Sequence, residues 1–141
     1  QGGGFCMERV EALARQMQQP TNLPTPGKRP PITSHVLDCG VGRPASDLLV
    51  VLEQRVANRW QEIGRDRTNS DGRCPHLLSV DHNLQPGIYR CTFDTAGYYA
   101  TRGGSCFYPE VTIAFEIVNI NEHYHIPLLL NQYGYSTYRG S

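Results

Sequence analysis

The chain has 141 residues, of which 39% are hydrophobic and 18% charged, so it is long enough for one domain with a modest core. Its formal net charge is +0, with acidic and basic residues interspersed, and we therefore expect neither nucleic acid nor an anionic membrane as a partner. No apolar run approaches the roughly 18 residues that span a bilayer, and no leader-like segment opens the chain. These features predict a soluble, unsecreted protein.

The first part of the chain differs in composition from the rest. Val10, Leu13 and Met17 lie at helical spacing and predict a short amphipathic helix over residues 8–18. Five prolines between Pro20 and Pro31 are incompatible with a helix or an inner strand, so residues 20–31 are predicted to be a linker. We expect residues 1–31 to form an N-terminal extension and residues 32–141 to form the domain.

Short alternating runs separated by turn residues follow, and they predict an all-β fold, a sandwich or a barrel. The clearest strand runs over residues 111–117, where apolar side chains alternate with polar or small ones. Further strands are predicted around residues 48–52 and 88–93. Residues 94–101 are predicted to form one short helix, with Asp94 or Thr95 as its N-cap.

Five cysteines are spaced 33, 35, 17 and 15 residues apart, and no two of them form a Cys-x-x-Cys pair. Such spacing favours reduced thiols over a zinc site or a redox couple. We expect these cysteines to act as small buried hydrophobic residues. They are Cys6, Cys39, Cys74, Cys91 and Cys106.

Polar residues that could carry chemistry interrupt the apolar or turn-rich segments. His35 lies in the first strand and Arg73 follows a turn, while His123 and His125 are two residues apart and therefore share one face of a strand. A neutral imidazole can take a proton from water at neutral pH, and arginine matches adjacent oxygen atoms. This combination suits hydrolysis of a cyclic amide. No Gly-x-Ser-x-Gly motif is present, which favours direct attack by water.

Each of these residues, taken singly, also has a structural explanation. A strand histidine is more often a hydrogen-bonded structural residue than a catalyst, and Arg73 could anchor its turn. The Tyr138-Arg139 pair could be a solvated chain end. His123 and His125 could bind a metal ion, although the sequence shows no third ligand.

Six short motifs, taken together, narrow these alternatives. They are Ser34–Asp38, Gly42–Ala45, Asp71–Pro75, Phe107–Pro109, His125–Leu130 and Tyr138–Ser141. In this order, over residues 31–141, they resemble the hydroxyisourate hydrolases, the enzymatic branch of the transthyretin family.

The resemblance implies a transthyretin-like β-sandwich of two four-stranded sheets with one short helix. It also implies a homotetramer, assembled as a dimer of dimers, with active sites in the channel between dimers and neither a metal nor another cofactor. The expected reaction converts 5-hydroxyisourate to 2-oxo-4-hydroxy-4-carboxy-5-ureidoimidazoline in urate breakdown. The expected compartment is the peroxisome or the cytoplasm.

The resemblance also assigns roles to individual residues. His35, Arg73 and His125 are expected to be catalytic, and Tyr138, Arg139 and Ser141 to bind the substrate. The main alternative is a non-enzymatic carrier of a small ligand, since transthyretin holds thyroid hormone in the same channel. A hormone carrier has no use for two histidines and two arginines, which favours the hydrolase.

Overall fold

Short strands arranged in two layers make up most of the protein. A computed structural model describes residues 29–141. The helix predicted over residues 8–18, and all of the predicted linker except residues 29–31, lie outside this range. The proposed division at residue 32 therefore stays a prediction.

The described chain forms two four-stranded sheets and one short helix, as the resemblance implied. One sheet has the order β2-β1-β7-β8, and the other has the order β4-β3-β5-β6. The elements are β1 (Ile32–Asp38), β2 (Arg43–Pro44), β3 (Leu49–Val56), β4 (Arg59–Arg67), β5 (Gly87–Phe93), α1 (Thr95–Ala100), β6 (Val111–Ile117), β7 (Tyr124–Asn131) and β8 (Gly134–Thr137).

The core lies between the two sheets and follows the period of two that the sequence predicted. Val50 and Leu52 on β3 are fully buried, and Leu48 just before the strand lies on the same side. On β6, Val111 and Ile117 are buried while the alternate residues face outward. These inward side chains provide the apolar area whose removal from water stabilises the sandwich.

Strand β7 departs from this alternation, because seven consecutive residues, from Tyr124 to Leu130, are buried. A strand buried on both faces reads as a continuous apolar run, and Ile126–Leu130 is such a run. The outer face of β7 is therefore covered by other parts of the chain. Two histidines lie in this covered region.

The short helix confirms the prediction from the sequence, since α1 begins at Thr95 and Asp94 is its N-cap. The Asp94 carboxylate accepts a hydrogen bond from the backbone N–H of Gly97 at 3.0 Å. This bond satisfies one of the N–H groups that the first turn of a helix leaves without a partner.

A buried carboxylate connects α1 to the end of β1. Asp38 is 3% exposed and accepts hydrogen bonds from the Tyr98 hydroxyl at 2.8 Å and from the backbone N–H of Gly40 at 2.9 Å. The Arg102 guanidinium lies 3.9 Å from the centroid of the Tyr98 ring. Because a buried charge is costly without such donors, Tyr98 fixes both the helix and the turn after β1.

Replacing Tyr98 with phenylalanine should remove one donor from the Asp38 carboxylate and leave the ring packing unchanged. A hydrogen bond to a charged group contributes about 1.5–3 kcal/mol, so we expect the free energy of unfolding to fall by about that amount. Urea denaturation measures it. Tyr133→Phe is the matched control, because Tyr133 is 79% exposed. Equal stabilities of the two variants would contradict the role of this hydrogen bond.

Candidate active site

Two of the residues predicted to act together, His35 and His125, lie on the outer face of the β1–β7 strand pair. The two strands are parallel, and their register places Thr33 beside His125 and His35 beside Pro127. Residues two apart on a strand share a face, and residues paired in register on neighbouring strands also share a face. Thr33, His35 and His125 therefore lie together on the side away from the core. We call this surface the histidine face.

His35 is only 7% exposed, and its hydrogen bonding identifies the nitrogen atom that carries the proton. Its Nε2 lies 2.8 Å from the backbone oxygen of Asp71, and because a carbonyl oxygen only accepts, Nε2 must be the donor. The neutral ring therefore has its lone pair on Nδ1. Among the described residues this buried Nδ1 has no hydrogen-bond partner.

Burial and a nearby positive charge keep the two imidazole rings of His35 and His125 neutral. Burial, followed by the positive charge of Arg73, lowers the pKa of His35 from 6.5 to about 4. The pKa of His125 is also lowered to about 4, mainly by burial and then by His35 and Arg73. Both imidazoles are therefore uncharged at neutral pH and available as proton acceptors.

A tight turn brings Arg73 to His35. Gly72 adopts a φ of +76°, which favours glycine, and a Cβ atom there would lie 2.3 Å from the backbone oxygen of Val36. The backbones of Gly72 and Val36 lie this close because the Val36 N–H donates a hydrogen bond to the Gly72 oxygen at 2.8 Å. An isolated bridge pairs His35 with Arg73, and Asn69 closes the turn by donating its N–H to the oxygen of Arg73 at 2.8 Å.

His125 and His123 share one hydroxyl partner. Thr33 Oγ1 lies 2.7 Å from Nδ1 of His125 and 2.9 Å from Nε2 of His123. The ring centroids of the two histidines are 6.5 Å apart, and that of His35 is 6.4 Å from that of His125. The sequence placed His123 and His125 on one face, but it did not identify Thr33 as the residue between them.

The last residues form a tail that runs along β7. Leu128 pairs with Thr137 in the antiparallel β7–β8 ladder, and the same register reappears where His125 bridges Gly140. The Gly140 N–H donates to the His125 backbone oxygen at 3.0 Å. A Cβ atom at Gly140 would lie only 2.5 Å from Cδ2 of His125, so only glycine lets the tail lie this close to the ring.

The tail places its side chains alternately on opposite sides of the sheet. Tyr138 packs on the histidine face against Leu37 and Leu129. Arg139 lies on the opposite side, where its guanidinium binds the Glu122 carboxylate at 3.0 Å. Ser141 is the last residue and is exposed.

The structure therefore brings together four of the six predicted site residues: His35, Arg73, His125 and Tyr138. It does not bring Arg139 to the histidine face of its own chain. Thr33 was missed, although its position two residues before His35 on one strand was an available signal.

Two other kinds of site, a metal-binding cluster and a surface groove, can be compared with the histidine face. Residues 29–141 contain no group of three histidine, cysteine, aspartate or glutamate side chains placed to hold a metal ion. An open groove of about 400 Å³ lies on the outer face of the other sheet, lined by Leu49, Val51, Arg65 and Thr92 among others. It contains no histidine, and Arg65 is already paired with Glu62.

Comparison with known proteins places this geometry in a family. Residues 32–140 match the model of the HIUase/Transthyretin family. The chain belongs to this family. A 5-hydroxyisourate hydrolase of Salmonella dublin is 44% identical over 110 residues, which cover 78% of this chain and 80% of the relative.

Solved structures of the HIUase/Transthyretin family confirm the predicted sandwich. The 5-hydroxyisourate hydrolase of Klebsiella pneumoniae has a TM-score of 0.69 and 30% identity, covering 78% of this chain and 97% of that one. Transthyretin from Sparus aurata has a TM-score of 0.73 and 27% identity, covering 79% and 97%. The fold alone therefore does not separate the two branches of the family. No helix in the described range is long and apolar enough to cross a membrane.

Replacing Gly140 with alanine should displace the tail from β7, because the new methyl group would overlap the His125 ring. We expect the amide at position 140 to exchange its hydrogen faster by at least tenfold, as its bond to the His125 oxygen is lost. Exchange monitored by NMR measures this. Gly134→Ala is the matched control, since the nearest atom to its Cβ lies 3.7 Å away. Unchanged protection at position 140 would contradict the close contact.

The neutral, buried imidazoles should make the fold sensitive to acid. Because the pKa values of His35 and His125 are about 4 in the folded state and 6.5 in the unfolded chain, the unfolded chain binds more protons between these values. Stability should therefore be full above pH 6.5 and fall progressively toward pH 4. Urea denaturation at pH 7, 6 and 5 measures this slope, which should be shallower in His125→Gln. Equal slopes in the wild type and in His125→Gln would contradict the burial of His125 as a neutral ring.

Proposed function

We propose that this protein hydrolyses 5-hydroxyisourate to 2-oxo-4-hydroxy-4-carboxy-5-ureidoimidazoline, a step of urate breakdown. The observation that carries this proposal is that neutral His35 has an unpartnered Nδ1 on the histidine face, while a backbone bridge holds Arg73 beside the same residue. Relatives that are 44% identical and named 5-hydroxyisourate hydrolase support the same reaction.

In the proposed mechanism His35 activates water. Its Nδ1 lone pair accepts a proton as the water oxygen attacks the carbonyl carbon of the cyclic amide, and His35 returns that proton to the leaving ring nitrogen as the C–N bond breaks. Two nitrogen atoms that share one water lie about 4.5–5 Å apart, because two hydrogen bonds of about 2.8 Å meet at a roughly tetrahedral oxygen. The ring centroids of His35 and His125 are 6.4 Å apart, so the two rings are neighbours on one face, and in the proposal both hold the same water molecule.

Arg73 supplies the positive charge that this attack requires. Negative charge develops on the carbonyl oxygen as water adds, and a fixed guanidinium stabilises it best where water is excluded. The positive charge of Arg73 lowers the pKa values of both His35 and His125, which supports a position of the guanidinium close to both rings. The closed turn at Asn69 holds the Arg73 backbone in place before substrate arrives.

The tail completes the proposed site. Tyr138 closes the pocket from its position beside Leu37 and Leu129. Arg139 and Ser141 are proposed to bind substrate oxygens, which requires Arg139 to leave Glu122. That ion pair is 62% and 50% exposed on its two side chains, and exposed pairs contribute only about 0–1 kcal/mol, so exchanging it for a substrate oxygen costs little.

The alternative function is a small-ligand carrier like transthyretin, whose sandwich this chain shares. A channel for an apolar hormone is best lined with apolar side chains. The histidine face instead presents an unpartnered ring nitrogen and an arginine, which favours hydrolysis.

We also propose that the chain assembles as a homotetramer, a dimer of dimers, with the histidine faces in the channel between dimers. Phe107 and Tyr133 support an association surface, because they are 71% and 79% exposed. The compartment, peroxisome or cytoplasm, stays a prediction.

The proposed chemistry is tested by His35→Gln and Arg73→Ala in an assay that generates 5-hydroxyisourate from urate and urate oxidase. Wild-type protein should accelerate the loss of the ultraviolet absorbance of 5-hydroxyisourate. Each substitution should lower kcat/KM by roughly 10²–10⁴-fold, the range contributed by a positioned proton acceptor or charge. Arg43→Ala is the control for Arg73, since Arg43 lies exposed on β2.

Two outcomes would contradict the proposal. If His35→Gln retained its circular dichroism spectrum and full activity, the assigned proton acceptor would be wrong. If the wild-type protein left the absorbance decay unchanged and bound thyroxine in a calorimetric titration, the carrier function would replace the hydrolase.

A further inference from the structure

A single hydroxyl lies between two imidazole rings on the histidine face. Thr33 Oγ1 is 2.7 Å from Nδ1 of His125 and 2.9 Å from Nε2 of His123. Both distances are those of good hydrogen bonds. The mechanism above uses His125 but gives no role to Thr33 or His123.

We propose that Thr33 relays a proton from His125 to His123, so that Thr33 is a positioning residue and His123 stores the proton that His125 receives during the reaction. This inference rests on the proposed hydrolase function. It adds two residues to the site that neither the fold nor the predicted reaction required.

Proton counting couples the two rings. A hydroxyl has one proton to donate, and each neutral imidazole has one N–H and one lone pair. In the first arrangement, His125 donates from Nδ1 to Thr33, and Thr33 donates to Nε2 of His123. In the second arrangement both bonds run in the opposite direction. One hydroxyl proton can serve only one ring lone pair, so the two rings cannot both present lone pairs to Thr33. Two N–H groups facing Thr33 would leave its proton no acceptor on either ring, so the relay requires the rings to present opposite groups.

The first arrangement prepares His125 for the reaction, since its lone pair is then on Nε2. The proton that Nε2 accepts is the second proton of the attacking water. As the C–N bond of the substrate ring breaks, the hydroxyl left on the carbonyl carbon loses this proton and becomes part of the product carboxylate, and an N–H bond forms on His125. The Nδ1 proton of His125 then moves to the Thr33 oxygen as the Thr33 proton moves to Nε2 of His123. His125 ends neutral with its proton on Nε2, and His123 carries the positive charge. No atom or charge is gained or lost in this sequence.

The surroundings of the two rings favour this direction of transfer. His125 is 7% exposed and faces Arg73 and His35, whose positions disfavour a cation there. His123 is less deeply buried and precedes β7; burial and then the positive charge of Arg29 lower its pKa, while a hydrogen bond with the Pro30 backbone raises it. The relay therefore moves positive charge from a buried ring beside Arg73 to a ring nearer the surface.

The backbone holds Thr33 ready for this role. Its register partner on β7 is His125, so the two side chains extend from adjacent strands on one face. A β-branched side chain has few accessible χ1 rotamers, which limits the positions of the hydroxyl. The hydroxyl is thus oriented by the sheet itself.

The test compares Thr33→Val, which has nearly the same shape without the hydroxyl, with Thr33→Ser, which keeps it. Turnover of 5-hydroxyisourate should show kcat reduced on the order of tenfold in Thr33→Val, with KM little changed, because the relay acts after substrate binds. Thr33→Ser should restore most of the loss. His123→Gln should lower kcat similarly, and adding Thr33→Val to it should cause no further loss, because both substitutions break the same relay.

A second readout needs no turnover. In resting wild-type protein, ¹⁵N NMR of the imidazole nitrogens should show one ring protonated and the other unprotonated at the atom facing Thr33. This pairing should be lost in Thr33→Val. An active wild type in which both rings carry their proton toward Thr33 would overturn the relay, as would additive effects of the two substitutions or full kcat in Thr33→Val. A wild type without hydrolase activity would instead overturn the proposed function.

Discussion

The parallel pairing of β1 with β7 is the constraint on which the site depends. Thr33 and His125 are 92 residues apart in sequence, and only this pairing makes them neighbours. A shift of one residue would turn either His35 or His125 toward the core, because side chains alternate between the faces. The apolar residues of both strands prevent such a shift, since Val36 and Leu128 are fully buried on the opposite face. Core packing thereby positions the polar site.

Burial gives these histidines their chemistry as well as their position. A ring in water would be partly protonated near neutral pH, and a cation so close to Arg73 would be unfavourable. On the histidine face the sheet, the Asp71–Arg73 turn and the tail cover His35 and His125 and keep both neutral. The same cover limits the access of water to both rings, and charge interactions are stronger in such a low-dielectric environment.

Local signals predicted two features of the fold. Alternation predicted an all-β fold, and a capping aspartate predicted the short helix over residues 94–101, which the structure has at Thr95–Ala100. The sandwich and the meeting of His35 with Arg73 were implied by the family resemblance of the six motifs rather than by local spacing. The sequence did not reveal the hydrogen bonds of Thr33 to His123 and His125, since hydrogen bonds between distant strands leave no mark in local spacing. The direction of Arg139 was equally hidden. It follows from the β7–β8 register, which is set by the two-residue turn between Asn131 and Gly134, where the Asn131 side chain accepts a hydrogen bond from the Tyr133 N–H at 2.9 Å.

Pro127 has a consequence for the end of the chain. Because proline lacks an N–H group, it cannot donate to the tail at its position between the Leu128–Thr137 pair and the His125–Gly140 bridge. Side chains hold the tail there instead: Thr137 Oγ1 donates to the Pro127 oxygen at 2.7 Å, and Tyr138 packs against Leu37 and Leu129. The end of the chain is therefore attached to β7 by backbone hydrogen bonds on either side of the proline and by side-chain contacts at the proline itself.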